Sequence, residues 1–201
     1  MFQTELAYWN GMCNDDELAF GKLYNCLAHD LFRYGYRVCA NHEMVQDGIQ
    51  DIFLKIWNKR SELSEVTSPR FYLYKCLRNK LLRAIDSERL VFNMEDFSDD
   101  ELFADDTHAE RNWILEEDSY IQTKKLKEAL GKLSARQQEV IQLRYYHDFS
   151  AEEIGKIMDI NPQSVRNLQN RAIQQLRTEL PYFAVTLLKL IFAGHYWINL
   201  R

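Results

Sequence analysis

Residues 133–177 read LSARQQEVIQLRYYHDFSAEEIGKIMDINPQSVRNLQNRAIQQLR and carry a series of helix-start signals. Ser134 is followed three residues later by Gln137, and Ser150 is followed by Glu153 in the same way. In such a capping box the serine oxygen accepts a free N–H of the first helical turn, and the Gln or Glu side chain reaches back to the N–H of the serine. The spacing therefore predicts a supporting helix that begins after Ser134 and a second, short helix that begins after Ser150.

A third helix is expected to begin at Pro162, after a tight turn at Asp159. Asn161 is a favourable N-cap, and Pro fits the first helical position because its missing N–H would have no partner there. Asp tolerates the left-handed backbone that such a turn requires. The apolar residues of this helix recur at helical spacing and are expected to be buried: Val165, Leu168, Ala172 and Leu176.

The opposite face of the third helix is polar and carries no acid between Asn161 and Thr178. Amide and guanidinium groups bond base edges in a major groove, and cations contact phosphates. The pattern favours a helix-turn-helix that binds DNA, although capped helices with a polar face also occur in helical proteins of other kinds. The candidate DNA-contacting residues are Gln163, Ser164, Arg166, Asn167, Asn170 and Arg171.

This stretch resembles region 4 of bacterial sigma factors, the module that reads the -35 promoter element. Where that family has a small residue and Gly in the turn, this chain has Met158 and Asp159. The resemblance implies a domain that reads upstream duplex DNA, with the six polar residues of the third helix as its -35 contacts.

The composition predicts the fold class. The chain has 201 residues, of which only seven are Gly and three are Pro. This scarcity of turn residues predicts an all-α protein, and the length suits two small helical domains. The sequence shows no signal peptide and no apolar run long enough to span a bilayer, so we expect a cytoplasmic protein.

The net charge of -5 is unevenly distributed along the chain. Residues 95–118 contain eleven acids and one base, whereas the rest of the chain contains 24 bases and 19 acids. The acids therefore form a local segment between two mildly basic parts. This basic excess is smaller than a stand-alone DNA-binding protein usually shows, which suggests a protein that meets DNA with help from a partner.

Two helices are expected before residue 61. Asn14 is expected to cap the first, whose apolar positions recur every three or four residues: Leu18, Phe20, Leu23, Tyr24, Leu27, Leu31, Tyr34 and Val38. The second is expected over residues 45–60, and its buried stripe should consist of Val45, Ile49, Ile52, Phe53 and Ile56.

The second of these helices resembles sigma region 2.2, which docks on the clamp helices of the RNA polymerase β′ subunit. The residues that carry the resemblance are Asp47, Gln50, Asp51, Phe53 and Trp57. The resemblance implies that core polymerase binds through Asp47, Gln50, Asp51 and Leu54. An ordinary amphipathic helix in a bundle would show the same polar stripe.

Residues 70–89 interleave aromatic and basic side chains. Cations hold a phosphate backbone, and aromatic faces stack on unpaired bases at ~1–3 kcal/mol per base. The mixture favours single-stranded DNA, although one face of the helix must be buried and takes some of the aromatic residues. The stretch resembles sigma regions 2.3 and 2.4, which melt the -10 element, and the implied contacts are Arg70, Tyr74, Lys75, Arg78, Asn79 and Arg83.

The cysteines suggest no cofactor. None of the four belongs to a CxxC pair, but Cys26 with His29 and Cys39 with His42 form C-x-x-H pairs, a spacing that zinc sites also use. Neighbours at this helical spacing also arise by chance, with the cysteines as small core residues. We therefore predict no metal and no other cofactor, and the zinc alternative rests on these four residues.

The resemblances cover about residues 15–90 and 119–178, without a basic region 1 or room for a separate region 3 domain. This arrangement is similar to that of the extracytoplasmic-function (group IV) sigma factors. It implies promoter DNA and core RNA polymerase (β′ clamp helices and β flap) as partners. The implied domains are sigma region 2 (1–90), an acidic linker (91–118), sigma region 4 (119–180) and an apolar C-terminal tail (181–201).

Other classes of function fit the sequence less well. A response-regulator-type DNA-binding protein has a similar helix-turn-helix, but it would carry a receiver or ligand-binding domain before Leu133. An enzyme would need acids, or His and Cys ligands, on structured elements, whereas the acids here cluster in the linker. An adaptor without DNA contact is the alternative in which the basic faces are only solvated. The sequence favours a promoter-specificity subunit that is not an enzyme.

The tail is unusually apolar, since Tyr182–Ala193 contains only Thr186 and Lys189 as polar residues. Twelve helical residues span about 18 Å, against a hydrocarbon core of about 30 Å, so we do not expect a membrane span. An exposed helix of this kind would promote aggregation, so something should cover it. Either the tail packs on the second domain, or an anti-sigma factor or a recruiting protein binds Tyr182–Trp197.

Overall fold

The computed structural model describes residues 2–63, 66–91, 126 and 128–179. All regular secondary structure within these ranges is helical, which confirms the all-α fold class. The chain divides into two compact units, residues 1–104 and 105–201. The acidic segment 95–118 and the C-terminal tail 181–201 lie outside the described residues, and so do the predictions made for them.

Four α-helices and one short 3-10 helix build the described part of the first unit. They are α1 (Phe2–Cys13), α2 (Glu17–Cys39), α3 (His42–Asn58), the 3-10 helix Arg60–Glu62 and α4 (Pro69–Val91). α2 packs against α1, α3 and α4, so it forms the centre of the bundle. Its Leu23 and Leu27 are fully buried, and burial of one such side chain contributes about 1.5–3 kcal/mol.

α1 is a helix that the sequence analysis did not predict. Its Trp9 and Met12 are fully buried. Nε1 of Trp9 donates a hydrogen bond to the carbonyl oxygen of Leu63 at 3.1 Å, and the Trp9 ring meets Tyr72 of α4 edge-on with centroids 5.5 Å apart. α1 is therefore an integral part of the core of the first unit.

The start of α2 differs from the prediction. Asp16 is the N-cap rather than Asn14, because its carboxylate accepts the N–H groups of Leu18 at 2.9 Å and of the next residue at 3.0 Å. The Asn14 side chain instead donates to the carbonyl oxygen of Asn10 at 2.9 Å. Leu18 and Tyr24 were expected in the core but are 77% and 38% exposed. The Tyr24 ring still meets that of Phe53 on α3 edge-on, with centroids 4.9 Å apart.

α3 begins three residues before its predicted start, with Asn41 as N-cap. The Asn41 side chain accepts the N–H of Met44 at 3.0 Å. The predicted buried stripe of α3 is confirmed, since Val45, Ile49, Ile52, Phe53 and Ile56 are all buried. Gly35 of α2 permits the close approach of α3, because a Cβ at residue 35 would lie 2.8 Å from Cγ1 of Val45.

The described part of the second unit contains the predicted helix-turn-helix with its supporting helix. The elements are α5 (Ala135–Ile141), a π-helical turn (Gln142–Tyr146), α6 (Ala151–Met158) and α7 (Pro162–Glu179). Both predicted capping boxes are present, one at Ser134 and one at Ser150. Residues 128–131, just before α5, are also helical.

The turn between α6 and α7 has the predicted geometry. Asp159 takes a left-handed φ of 55°. The side chain of Asn161 accepts the N–H of Ser164 at 2.7 Å and so caps α7, which begins at Pro162. The cap, the proline and the left-handed residue together fix where the second helix of the pair starts.

α7 packs its apolar side on the core of the second unit. That core includes Ala129, Leu133, Ile141, Ala172 and Leu176. Val165 is also buried, as predicted. Leu168, which was expected to be buried, is only partly buried.

Candidate nucleic-acid and polymerase interfaces

The outward side of α7 carries the six residues predicted to contact duplex DNA, here called the α7 face. Ser164 is partly buried, and the other five are exposed: Gln163, Arg166, Asn167, Asn170 and Arg171. Nε2 of Gln163 donates to Oδ1 of Asn167 at 3.2 Å, so these two amides are aligned along the helix. The face offers the amide and guanidinium groups that bond base edges in a major groove.

Arg166 forms an ion pair with a residue of the preceding helix. Its Nη2 donates to Oε1 of Glu152 on α6 at 2.6 Å, and the two side chains are 50% and 59% exposed. Glu152 was not among the residues predicted from the sequence. The two residues lie fourteen positions apart on different helices, so no helical spacing rule connects them.

Both backbone and side-chain contacts determine the position of α7 relative to the preceding elements. A Cβ added at Gly155 would lie 2.7 Å from the carbonyl oxygen of Ile160, a backbone atom of the turn. The N–H of Ile160 donates to the carbonyl oxygen of Gly155 at 2.9 Å. Nε2 of Gln169 on α7 donates to the hydroxyl of Tyr145 in the π-helical turn at 3.0 Å. These contacts join α7 to α6 and to the π-helical turn, and so position the α7 face relative to both.

α4 carries four of the six predicted -10 contacts on its surface, here called the α4 face. Lys75, Asn79 and Arg83 are exposed, and Arg78 is partly buried. Leu73, Leu77 and Leu81 form the buried side of the same helix. The face therefore presents cations and an amide at successive turns of one helix, an arrangement that suits a phosphate backbone.

The structure corrects the prediction for the other two -10 contacts, Arg70 and Tyr74. Arg70 is 5% exposed and Tyr74 is fully buried. The Tyr74 ring packs on that of Tyr34 of α2, with centroids 4.9 Å apart. Both side chains lie in the interior of the first unit and are not available to DNA there.

Arg70 is buried because two carboxylates from other helices meet it. Its Nη2 and Nε donate to Oε1 of Glu5 at 2.6 and 3.1 Å, and its Nη1 donates to Oδ2 of Asp30 at 3.0 Å. Burial acts to lower the pKa of Arg70, but the hydrogen bond and the charge of Glu5 outweigh it and raise that pKa above its ordinary value. The guanidinium stays charged and joins α1, α2 and α4.

α3 presents the four residues predicted to bind core polymerase, here called the α3 face. Asp47, Gln50, Asp51 and Leu54 are all exposed, and Leu54 is 59% exposed. Oδ2 of Asp51 accepts a hydrogen bond from Nζ of Lys80 on α4 at 2.6 Å. The face thus combines an exposed apolar residue with carboxylates, one of which is already paired with a lysine of the same unit.

The four residues of the two C-x-x-H pairs are not brought together as a candidate metal site. Sγ of Cys39 donates to the carbonyl oxygen of Gly35 at 3.5 Å, and the His42 ring lies against that of Phe32 with centroids 4.5 Å apart. Burial raises the pKa of Cys26, which disfavours the thiolate that a metal requires. Among the residues that the structure describes, no group of three or more His, Cys, Asp or Glu is placed to hold a metal ion.

The sequence matches two family models that describe neighbouring modules of one family. Residues 23–90 match sigma-70 region 2, and residues 129–178 match sigma-70, region 4. The two matches together cover more than half of the chain. The chain belongs to the sigma-70 family. Sigma-70 factors are the promoter-specificity subunits of RNA polymerase, so this sigma factor takes part in transcription initiation and binds promoter DNA with the core enzyme.

The curated relatives of this sigma factor belong to the extracytoplasmic-function group. The ECF RNA polymerase sigma factor SigL of Mycobacterium tuberculosis is 26% identical over 169 residues, which cover 82% of this chain and 90% of the relative. The ECF sigma factor BldN of Streptomyces coelicolor is 26% identical over 165 residues, which cover 81% of this chain and 61% of the relative. The predicted assignment to this group is confirmed.

A solved structure shares the fold of this sigma factor. The sigma factor RpoE of Bartonella quintana, crystallised with the anti-sigma factor NepR, gives a TM-score of 0.59 at 20% identity and covers 81% of this chain and 97% of its own. No helix in the described ranges 2–63, 66–91 and 128–179 is both long and apolar enough to cross a membrane.

Proposed function

We propose that this sigma factor divides promoter recognition between its two units. The first binds core polymerase through the α3 face and opens the -10 element with the α4 face, and the second reads the -35 duplex with the α7 face. The observation that carries the proposal is the α7 face itself, with five exposed amide or guanidinium side chains on a capped helix and no acid among them. The domain ranges predicted from the sequence, 1–90 and 119–180, serve as its working boundaries.

The -10 contacts are proposed to be Lys75, Arg78, Asn79 and Arg83, without Arg70 and Tyr74. Cations along one side of α4 suit the backbone of a single strand. Separating base pairs costs roughly 1.4 kcal/mol of stacking per step, and contacts to the freed strand offset part of that cost. The two buried residues then act indirectly, because they hold α4 in place.

The core-polymerase contact is proposed to centre on Asp47, Gln50 and Leu54. Leu54 is a large apolar side chain with more than half of its surface exposed, and burial of that surface by a partner would be favourable. Asp51 lies on the same face, but its charge is partly matched by Lys80. Asp47 therefore offers the less compensated charge to a basic partner.

An anti-sigma factor or a recruiting protein is the proposed regulatory partner. The solved neighbour RpoE is described in complex with an anti-sigma factor, and CnrH, a structure of TM-score 0.55 and 17% identity, is described in complex with the cytosolic domain of CnrY. The proposed docking element is Tyr182–Trp197. Truncation after Leu180 tests it, because loss of a specific partner with retained activity supports docking, whereas aggregation would assign the tail to the fold.

We further propose that this sigma factor works in the cytoplasm, where RNA polymerase transcribes the chromosome, and performs no catalysis of its own. The test is reconstitution with core RNA polymerase followed by run-off transcription from genomic fragments. Promoter-dependent transcripts that require both proteins support the proposal. A chain that binds core polymerase but yields no such transcripts would contradict it.

A further inference from the structure

The cations of the α7 face are not electrostatically equivalent. Arg166 donates to the Glu152 carboxylate at 2.6 Å, so a negative charge accompanies its positive charge. Arg171 is exposed on the same helix, and no ion pair or hydrogen bond joins its side chain to another described residue. A cation that already has a carboxylate beside it adds less net charge at the DNA surface than one that has none.

The positions of the two arginines along α7 also indicate that they have different roles. Arg166 is the fifth residue of the helix, and Arg171 is the tenth. In a helix-turn-helix, residues near the start of the second helix contact base edges. Arg166 therefore lies where bases are read, whereas Arg171 lies farther along the helix, where a side chain can contact the DNA phosphates.

The geometry of the Glu152–Arg166 contact leaves Arg166 able to read a base. An arginine side chain has five N–H donors, and the contact to Glu152 uses only one of them, on Nη2. The remaining donors include those that can bond the O6 and N7 acceptors of a guanine in the major groove. Anchoring of one nitrogen restricts the directions that the rest of the guanidinium can take.

We propose that Glu152 is a positioning residue for promoter recognition, which orients Arg166 toward a base edge and keeps it from acting as a phosphate contact. The proposal rests on the proposed function of the α7 face. Glu152 stands in the first turn of α6, and a carboxylate there would repel a phosphate group if Arg166 moved away from it. Arg171 then supplies a phosphate contact that does not depend on base sequence.

The test compares holoenzymes in a binding selection. Core RNA polymerase with the full-length sigma factor selects promoter fragments from a pool in which the upstream duplex is randomised, and sequencing gives the base preference at each position. Arg166→Gln should lower the preference at one or two adjacent positions by about tenfold. Glu152→Gln should lower it at the same positions by about two- to fivefold, since an exposed ion pair biases an equilibrium by no more than about that factor.

The salt dependence of DNA binding distinguishes a positioning role of Glu152 from a purely electrostatic one. Glu152→Gln should make binding to mismatched fragments more salt-dependent, because Arg166 becomes free to contact a phosphate. The slope of the logarithm of the binding constant against the logarithm of the salt concentration should become steeper by up to about 0.9. Arg171→Gln should make that slope shallower by about the same amount and leave base preferences unchanged. Glu128→Gln removes the same charge from an exposed site of the second unit outside the helix-turn-helix, and it should leave base preferences unchanged.

Each outcome bears on the proposal. Loss of preference at the same positions in Glu152→Gln and Arg166→Gln, with no further loss in the double variant, supports it. Unchanged preference in Glu152→Gln overturns it, and so does tighter binding of all fragments with preference retained, because Glu152 would then only weaken binding. If the parent holoenzyme itself shows no upstream preference, it is the proposed function of the α7 face that fails. Circular dichroism of every variant should match the parent, since the substituted side chains are exposed.

Discussion

The buried contact between Glu5 and Arg70 gives the sharpest prediction about the fold. Glu5 is 1% exposed, and its Oε1 accepts hydrogen bonds from Nη2 and Nε of Arg70 at 2.6 and 3.1 Å. Glu5→Gln keeps the shape of the side chain but removes the charge that opposes the guanidinium. The substitution should therefore leave Arg70 charged, buried and paired only with Asp30.

The expected loss of stability follows from that geometry. Removal of one partner of a buried ion pair costs about 3–5 kcal/mol, because the other charge is left without compensation. Asp30 still accepts one bond from Arg70 at 3.0 Å, so we expect the lower end of this range, about 3 kcal/mol. For a unit of this size, such a loss lowers the melting temperature by roughly 12–24 °C.

Urea and thermal unfolding of the full-length sigma factor, followed by circular dichroism and tryptophan fluorescence, measure this loss. Trp9 is fully buried beside α4, so its emission reports on the first unit. The matched control is Asp51→Asn, which removes a carboxylate from an exposed ion pair with Lys80 and should cost at most about 1 kcal/mol. The triple variant Glu5→Leu, Asp30→Asn and Arg70→Met should recover most of the stability, because a buried ionic cluster can be replaced when none of its charges is left without a partner.

An unchanged unfolding midpoint in Glu5→Gln would refute the reasoning. The burial of Arg70 would then not depend on Glu5, and the physical reason for excluding Arg70 from the -10 contacts would be lost. A complementary observation would be a variant Arg70→Gln that folds with parental stability but fails to open promoters. That result would return Arg70 to the DNA-contacting residues.

Three further predictions concern the candidate interfaces. Gly155→Ala should destabilise the second unit by about 1–3 kcal/mol in thermal unfolding, because its Cβ would meet the carbonyl oxygen of Ile160 at 2.7 Å. Asp47→Lys should abolish co-elution with core polymerase in gel filtration while the circular dichroism spectrum stays helical. Arg83→Gln should weaken promoter opening, measured by permanganate reactivity of unpaired thymines, without a change in core-polymerase binding.

The glycine prediction has a matched control, and each of the three predictions has an outcome that would contradict it. Gly131→Ala should be tolerated, because no neighbouring atom lies within 4 Å of the added Cβ, and an equal loss in both glycine variants would mean that the contact at Ile160 is unimportant. Continued co-elution of Asp47→Lys would move the polymerase contact to another helix. Parental permanganate reactivity in Arg83→Gln would remove that residue from the α4 face.

Local rules predicted the helix-turn-helix well because its signals are close in sequence. A capping box depends on residues three apart, and the turn depends on Asp159, Asn161 and Pro162. The buried stripe of α3 was likewise visible, because apolar residues at three- and four-residue spacing form one side of a helix. The start of α2 was misassigned because both Asn14 and Asp16 are favourable caps, and only the observed hydrogen bonds distinguish them.

The misassigned site residues share a different cause. Arg70 and Tyr74 belong to an aromatic and basic pattern that suits single-stranded DNA, but their buried positions depend on partners distant in sequence. Glu5 is 65 positions from Arg70, and it lies on a helix that the apolar periodicity did not reveal. Glu152 was missed for the same reason, since its contact to Arg166 exists only once α6 and α7 have packed.

Packing also bears on how the first unit would serve the two partners proposed for it. The α3 face and the α4 face lie on helices that share a tightly packed interior, where a Cβ added at Gly48 of α3 would lie 3.3 Å from Cδ1 of Leu77 on α4. Interiors packed to this density allow little sliding of one helix against another. The distance between the proposed polymerase contact and the proposed -10 contact is therefore determined by apolar residues of the interior, which lie on neither face. Substitutions at this interior contact should disturb promoter opening and polymerase binding together, whereas substitutions on either face should disturb only one of them.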